Sequence, residues 1–210
     1  MNDIVIYGTG ETARVAYEYF TKDSPRRIAA FTVEKKFIKK KNFCGLPAVP
    51  FETIAKTYPP KEYDMFIAIS YTDGNKLREK FYALAKKKGY HLASYISSCA
   101  FVWPTASIGD NCFILEHNVI QHGVTIGNNV TLWSGNHIGH QAKIGDHVFV
   151  SSHCVISGYC TIGHHAFLGV NSTYNDRVTV APACIIGSGT VVIKNTKKGK
   201  TYVGNPAREL

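Results

Sequence analysis

Residues 138–168, IGHQAKIGDHVFVSSHCVISGYCTIGHHAFL, decide the fold. A branched aliphatic residue returns at every sixth position: Ile138, Ile144, Val150, Ile156, Ile162, Leu168. Working outward, the same grid runs without insertion from Val102 to Val192, and Tyr174 is its one non-aliphatic member. Two positions before each of these the residues are small or modest, among them Ala106, Cys112, Asn118, Ala142, Cys154, Cys160, Ala166, Ser172 and Cys184. A helix repeats near 3.6 and an alternating strand at 2, so neither yields strict sixes. A hexapeptide unit does. Each unit is one short strand plus a corner, three units close a triangular coil, and coils stack into a parallel β-helix. The aliphatic side chain points inward, and the small one sits where the corner crowds the interior. An ordinary sandwich would not hold this register over ninety residues.

The 210-residue chain has room for two small domains, and we divide it into 1–98 and 99–210. No apolar run approaches the roughly 20 residues of a membrane span, and residues 1–20 read as strand plus helix rather than a leader. Four of the six cysteines, Cys112, Cys154, Cys160 and Cys184, fall on the small interior position, which makes them core fillers. There is no CxxC and no zinc spacing, so a reducing, cytoplasmic location is expected. The net charge of +9 is uneven: residues 1–100 carry seventeen Lys and Arg against ten Asp and Glu. Runs such as Lys35-Lys36 and Lys39-Lys40-Lys41 make a solvated face or attract a polyanion such as a nucleotide diphosphate. Nucleic acid is not expected, because no binding motif accompanies the charge.

In the first domain, Asp3–Tyr7 reads as a buried strand, followed by Gly8-Thr9-Gly10-Glu11-Thr12-Ala13 and a helix to about Phe20. Strand, glycine-rich turn and helix N-terminus form a phosphate-cradling arrangement. Only about four strands precede the repeats, too few for a full dinucleotide fold, so a half-Rossmann mononucleotide domain fits better. Ile28–Val33 reads as a second parallel strand with Glu34 at its end, where an acid can accept a ribose hydroxyl. Residues 34–50 read as a basic loop, Tyr63–Ser70 as a third strand, Asn75–Lys88 as a helix with Leu77, Phe81, Leu84 and Ala85 inward, and His91–Ile96 as a fourth strand. Ligands bind at the carboxyl ends of such strands, which puts Gly8, Thr9, Gly10, Thr32, Glu34, Ser70, Tyr71 and Asn75 on one substrate rim.

The hexads IGDNCF, IGNNVT, IGHQAK, IGDHVF and IGHHAF resemble those of the left-handed β-helix acyltransferases, over roughly residues 100–210. The ending Tyr202-Val203-Gly204-Asn205-Pro206-Ala207-Arg208 is similar to the V-G-x-P-A-[KR] tail of that family, which caps the helix near the coenzyme A site. The arrangement of the whole chain looks like the sialic-acid O-acetyltransferase and bacillosamine/perosamine N-acetyltransferase group. The resemblance implies a left-handed parallel β-helix behind an α/β half-Rossmann domain, assembled as a trimer. It also implies acetyl-CoA as cosubstrate without a metal, and a nucleotide-diphosphate amino sugar as acceptor, for glycan or surface-polysaccharide precursors.

Histidine supplies the base that acyl transfer from a thioester needs, since its ordinary pKa lies near neutrality. One coil is eighteen residues, so residues eighteen apart stack about 4.8 Å apart. His122 and His140 share a column, continued by Gly158 and Asp176, and His117 and His153 share another. The polar cluster Ser134–His140 favours His140 as base, with a histidine bridging subunits as the plainer reading. The resembled group carries its base in an I-x-H motif about seventy residues before the end, and Ile138-Gly139-His140 matches. Many members follow that histidine with an acid that orients it; here the position is Gln141, so either a carbonyl or carboxylate of a neighbouring chain orients His140 or the base is less polarised, and Asp146 is a further candidate orienter. By the same resemblance coenzyme A lies along the later coils between two subunits. Gly158, Gly169, Val170 and Gly187 would line its pantetheine arm, or else serve as tight corners, with Lys194, Asn205 and Pro206 near its other end. N-acetylation is expected ahead of O-acetylation, because the front domain suits a nucleotide-linked amino sugar. The rivals are a non-catalytic scaffold and a γ-carbonic-anhydrase-like zinc enzyme, whose three-histidine spacing is incomplete here.

Overall fold

The computed structural model describes residues 2–210. The chain forms two compact units. One contains the residues up to Thr72 together with Leu77–Tyr95; the other contains Asp73–Lys76 and Ile96–Leu210. The division after Tyr95 falls three residues before the one drawn from sequence, and the short segment 73–76 changes sides.

The first unit is built on a five-stranded sheet of order β3-β4-β2-β1-β5. Its strands are β1 (Asp3–Tyr7), β2 (Ile28–Val33), β3 (Asn42–Phe43), β4 (Leu46–Pro50) and β5 (Tyr63–Ile67). β1 pairs in parallel with both β2 and β5. Helices α1 (Glu11–Lys22), α2 (Ile54–Thr57) and α3 (Lys76–Lys87) complete the element order. Three sequence expectations are corrected. Residues 34–50 are not a loop: a 3₁₀ turn at Lys35–Phe37 leads into a β3–β4 hairpin, and β4 lies parallel to β2. Pro47 and Pro50 hid β4, since two prolines in five residues argue against a strand. His91–Ile96 is not one strand; Leu92 makes an isolated bridge to Met65, and only Tyr95–Ile96 (β6) is extended. On α3 Phe81 and Ala85 are buried as expected, but Arg78 also turns inward, 1% exposed with its Nε donating to Ile67 O at 3.2 Å, whereas Leu77 is 37% exposed.

The second unit is the left-handed parallel β-helix expected from the hexads. Two-residue strands β7 (Phe101–Val102) to β22 (Val191–Val192) follow one another every six residues, and each ends on an aliphatic grid position or on Tyr174. They stack as three parallel faces, so that Val119, for example, pairs with Phe101 below and His137 above. From Ile114 to Val192 every grid side chain is buried. Each contributes about 1.5–3 kcal/mol of apolar transfer. A cap, β23 (Thr201–Val203) and β24 (Arg208–Glu209), closes the third face.

The corners explain the rest of the hexad. The residue three before each grid position has a left-handed backbone without a break from Asn111 (φ 52°) through His117, Gly123, Asn129, Gly135, Gln141, His147, His153, Tyr159, His165, Asn171, Arg177 and Ala183 to Gly189 (φ 68°). Asn and His tolerate that region better than most side chains, while a bulky residue pays on the order of 1–2 kcal/mol. Four of the nine histidines therefore sit where the corner favours them. The next position, inside the coil, carries a buried polar column. Asn136 Nδ2 donates to Asn118 Oδ1 at 3.0 Å, Cys154 N–H donates to Asn136 Oδ1 at 2.7 Å, and Ser172 Oγ lies 2.8 Å from the Tyr174 hydroxyl. Burial pushes the Tyr174 phenol well above its ordinary pKa.

Candidate active site

The β-helix has three edges, and His140 stands on the one that also carries His122, Gly158 and Asp176. Its backbone N–H donates to Gln121 Oε1 at 2.8 Å. Its ring stacks on His122 with centroids 5.6 Å apart and planes 14° apart. Tyr159 meets the ring edge-on at 5.2 Å and 86°. On the coil above, Gly158 leaves the space that the ring fills: a Cβ there would lie 2.5 Å from His140 Cε1 and 2.7 Å from Nε2. The ring is half-exposed, and among the described residues nothing hydrogen-bonds either ring nitrogen. A half-exposed imidazole with free nitrogens can take a proton from an incoming nucleophile.

Neither expected orienter is at the ring. Gln141 folds back over Gly123, whose added Cβ would lie 2.3 Å from Gln141 Nε2. Asp146 stands at the next corner, and its Oδ1 accepts the Asn128 N–H at 2.6 Å. The spacing had already put these two residues one corner apart, but a corner's direction is visible only in the coil. The structure adds His122, Tyr159 and Arg177 to this edge; the Arg177 guanidinium lies 4.5 Å above the Tyr159 ring. Tyr159 was legible as eighteen residues beyond Gln141, a column that the sequence reading did not follow.

His117 and His153 stand two coils apart on another edge, with Gly135 between them and the His153 ring lying over it. The position five beyond His153 is Gly158, so the zinc rival lacks its third histidine.

The glycines expected along a pantetheine arm have other reasons. Gly158 seats His140, and Gly169 lies against the next coil, where a Cβ would meet Ser188 N at 2.6 Å. Gly187 is covered by the cap, with Val203 Cγ1 2.9 Å from a Cβ position. Val170 is 42% exposed. At the cap, Lys194 and Pro206 do meet, in a cavity of about 410 Å³ shared with Lys197, Tyr202 and Arg208. Asn205 is exposed and precedes Pro206 through a cis peptide. Lys197 and Lys200 are taken by Glu209, at 3.3 and 3.1 Å, and together they hold its carboxyl below the ordinary range. Lys194 and Arg208 have no acidic partner among the described residues.

In the first unit the Gly8–Gly10 turn leads into α1 as expected, with Gly10 as N-cap. Gly8 is structural: its φ is +132°, and a Cβ would meet Ala68 O at 2.7 Å, so the close approach of the chain just past β1 to the chain just past its parallel neighbour β5 requires glycine. Thr9 lines a cavity of about 460 Å³ with Arg14, Phe37, Lys39, Lys40, Asn42 and Phe43. These basic and aromatic residues lie in the stretch first read as a loop. Glu34 ends β2, is ion-paired to Lys36 at 3.6 Å, and after burial is the main cause that pushes the Tyr7 phenol up. Two rim residues are corrected. Thr32 is buried with its hydroxyl donating to Val49 O at 2.9 Å, and Asn75 is buried in the second unit with its Nδ2 donating to His147 O at 2.8 Å. Ser70 is exposed and Tyr71 half-buried.

Residues 105–140 and 126–158 match the model described as bacterial transferase hexapeptide (six repeats), so this segment carries that repeat. Solved structures resemble the chain over its whole length. The acetyltransferase domain of PglB from Neisseria gonorrhoeae is 22% identical, with 100% of each chain covered and a TM-score of 0.88. PerB from Caulobacter crescentus, solved with CoA and GDP-perosamine, is 23% identical, covering 100% of this chain and 98% of that one at a TM-score of 0.84. WeeI from Acinetobacter baumannii is 22% identical, with 100% of each chain covered and a TM-score of 0.84. These likenesses establish the fold of the chain.

Proposed function

We propose that this chain is an acetyltransferase that moves an acetyl group from acetyl-CoA to the amino group of a nucleotide-linked amino sugar, with His140 as general base. The observation that carries the reading is the seat of His140: a half-exposed ring over Gly158 whose nitrogens no protein group occupies. Two further features support it. The chain is alike end to end to a protein solved with CoA and GDP-perosamine, and to a domain solved with acetyl coenzyme A. The basic, aromatic-lined cavity beside the Gly8–Gly10 turn suits a nucleotide diphosphate.

In this reading Arg14, Lys39 and Lys40 take the diphosphate, Phe37 or Phe43 faces the base, and Glu34 accepts the ribose hydroxyls. His140 accepts a proton from the acceptor's amine as nitrogen attacks the acetyl carbonyl. The thioester supplies the activated acyl group, and the thiol leaves with the proton. The cap cavity offers Lys194 and Arg208, two unpaired cations suited to phosphates of coenzyme A. In this reading the active assembly is a homotrimer, the state the resemblance implies, and Phe101, Trp103 and Val155, 53%, 46% and 42% exposed on one protomer, are apolar side chains it would cover. None of the six cysteines is in a disulfide, which suits a reducing cytoplasm; no helix among the described residues is long and apolar enough to cross a membrane.

A thiol-release screen of GDP- and UDP-linked amino sugars with acetyl-CoA tests the proposal. At least one should release thiol, and His140→Ala should lower kcat by at least ~100-fold, the usual worth of a general base. Wild-type turnover by the variant, or no thiol release and no coenzyme A binding by the native protein, would refute it.

A further inference from the structure

Among the described residues the His140 ring is held without a hydrogen bond. Neither nitrogen has a partner there, the side chain that follows it folds away over Gly123, and Asp146 on the next corner accepts the Asn128 amide instead. What touches the ring is aromatic: His122 on one face and Tyr159 on its edge, with the Gly158 backbone closing the slot. Of these neighbours, His122 is exposed, and among the described residues the ring is its one aromatic contact. Tyr159 is held from outside as well, by the Arg177 guanidinium 4.5 Å from its centroid. Tyr159 and Arg177 also occupy left-handed corners, at φ 58° and 63°, where Gly, Asn or His would fit at less cost. The Tyr159 hydroxyl makes no hydrogen bond among the described residues, and the ring is 46% exposed, so the side chain is neither buried core nor a polar link.

We infer that Tyr159 is a positioning residue. Its ring, backed by Arg177, fixes the orientation of the His140 imidazole that another protein would fix with a carboxylate. An aromatic edge set against a second ring restricts rotation about the histidine side chain while leaving both nitrogens for substrate. The inference rests on His140 being the base, and it names what aims that base. It follows that the ring edge matters and the hydroxyl does not.

The experiment compares Tyr159→Phe with Tyr159→Asn. Asparagine already fills the corners at Asn111, Asn129 and Asn171, so this variant keeps the coil. With acetyl-CoA and an accepted nucleotide sugar, Tyr159→Asn should lower kcat about 10–100-fold, the scale of a mis-aimed reacting group, and leave both KM values within about twofold. Tyr159→Phe should keep wild-type kcat. In parallel, the His140 ring protons are followed by NMR, identified by their loss in His140→Gln. Their NOE contacts to the His122 ring should weaken in Tyr159→Asn and persist in Tyr159→Phe, a measure of ring orientation that the lost tyrosine ring current does not mimic. This second readout needs no substrate, so it decides the positioning role even if no sugar nucleotide is turned over and the proposed reaction falls. Unchanged His140–His122 contacts in Tyr159→Asn would overturn the inference. So would a rise in KM for acetyl-CoA at unchanged kcat, which would make Tyr159 a donor contact, or a Phe variant as impaired as the Asn variant.

Discussion

At the scale of single residues, the glycine above His140 is the sharpest test of the geometry. Gly158 is there because a side chain would occupy the space of the imidazole, 2.5 Å from Cε1. Gly158→Ala should therefore displace the ring and lower kcat by at least about tenfold, while the thermal unfolding midpoint moves by only a few degrees. Steady-state kinetics beside a melting curve separate the two effects; full activity would mean that the ring does not work from this seat. His140 and its neighbour Gln141 could be singled out from the sequence. The aim of Gln141, of Asp146 and of Tyr159 could not, since one residue of offset along the coil is a change of corner direction. Glycine itself is ambiguous in a sequence: Gly158 and Gly169 read equally as a flat path for a ligand or as a tight contact, and the neighbours that decide it lie eighteen residues away.

At the scale of elements, the two units differ in how far their sequences can be read. Each β-helix rung repeats one local rule, so every strand from β7 to β22 follows from the spacing alone. The α/β unit has no such redundancy. Its β4 carries two prolines, and its helix α3 turns an arginine inward because a buried guanidinium can satisfy a strand-end carbonyl at 3.2 Å. The cavity that brings Thr9 together with Arg14, Lys39 and Lys40 depends on that misread hairpin. Glu34, at the end of β2, gives this element its functional test. Glu34→Ala should raise KM for the sugar nucleotide by at least about tenfold, the loss of a charge-assisted hydrogen bond, and leave KM for acetyl-CoA unchanged. Equal effects on both substrates would remove the acceptor from this element. Gly8 is unsuitable for the same purpose, because its variants strain the close approach of the ends of β1 and β5.

At the scale of the whole molecule, the proposed homotrimer would cover apolar residues that one protomer leaves in water. Phe101 and Trp103 lie with ring centroids 6.0 Å apart, and Val155 is exposed on the same sheet as Phe101. Sedimentation equilibrium should return three times the 23.2 kDa of the chain. Val155→Glu should shift that mass toward the monomer and reduce turnover with it. A native monomer would refute the assembly.

What the sequence determined by itself is the repeat and everything periodic in it: the β-helix, its buried grid, the small interior column and the edge on which His140 stands. A rule that recurs every six residues is read many times over, so no single ambiguous residue can hide it. Only the tertiary structure decided what fills the corners: which glycine seats the imidazole, which side chains turn away from it, and how a proline-bearing hairpin brings two lysines beside the Gly8–Gly10 turn. Those outcomes depend on contacts between residues one coil or one hairpin apart, where a side chain's direction is set by its neighbours in space.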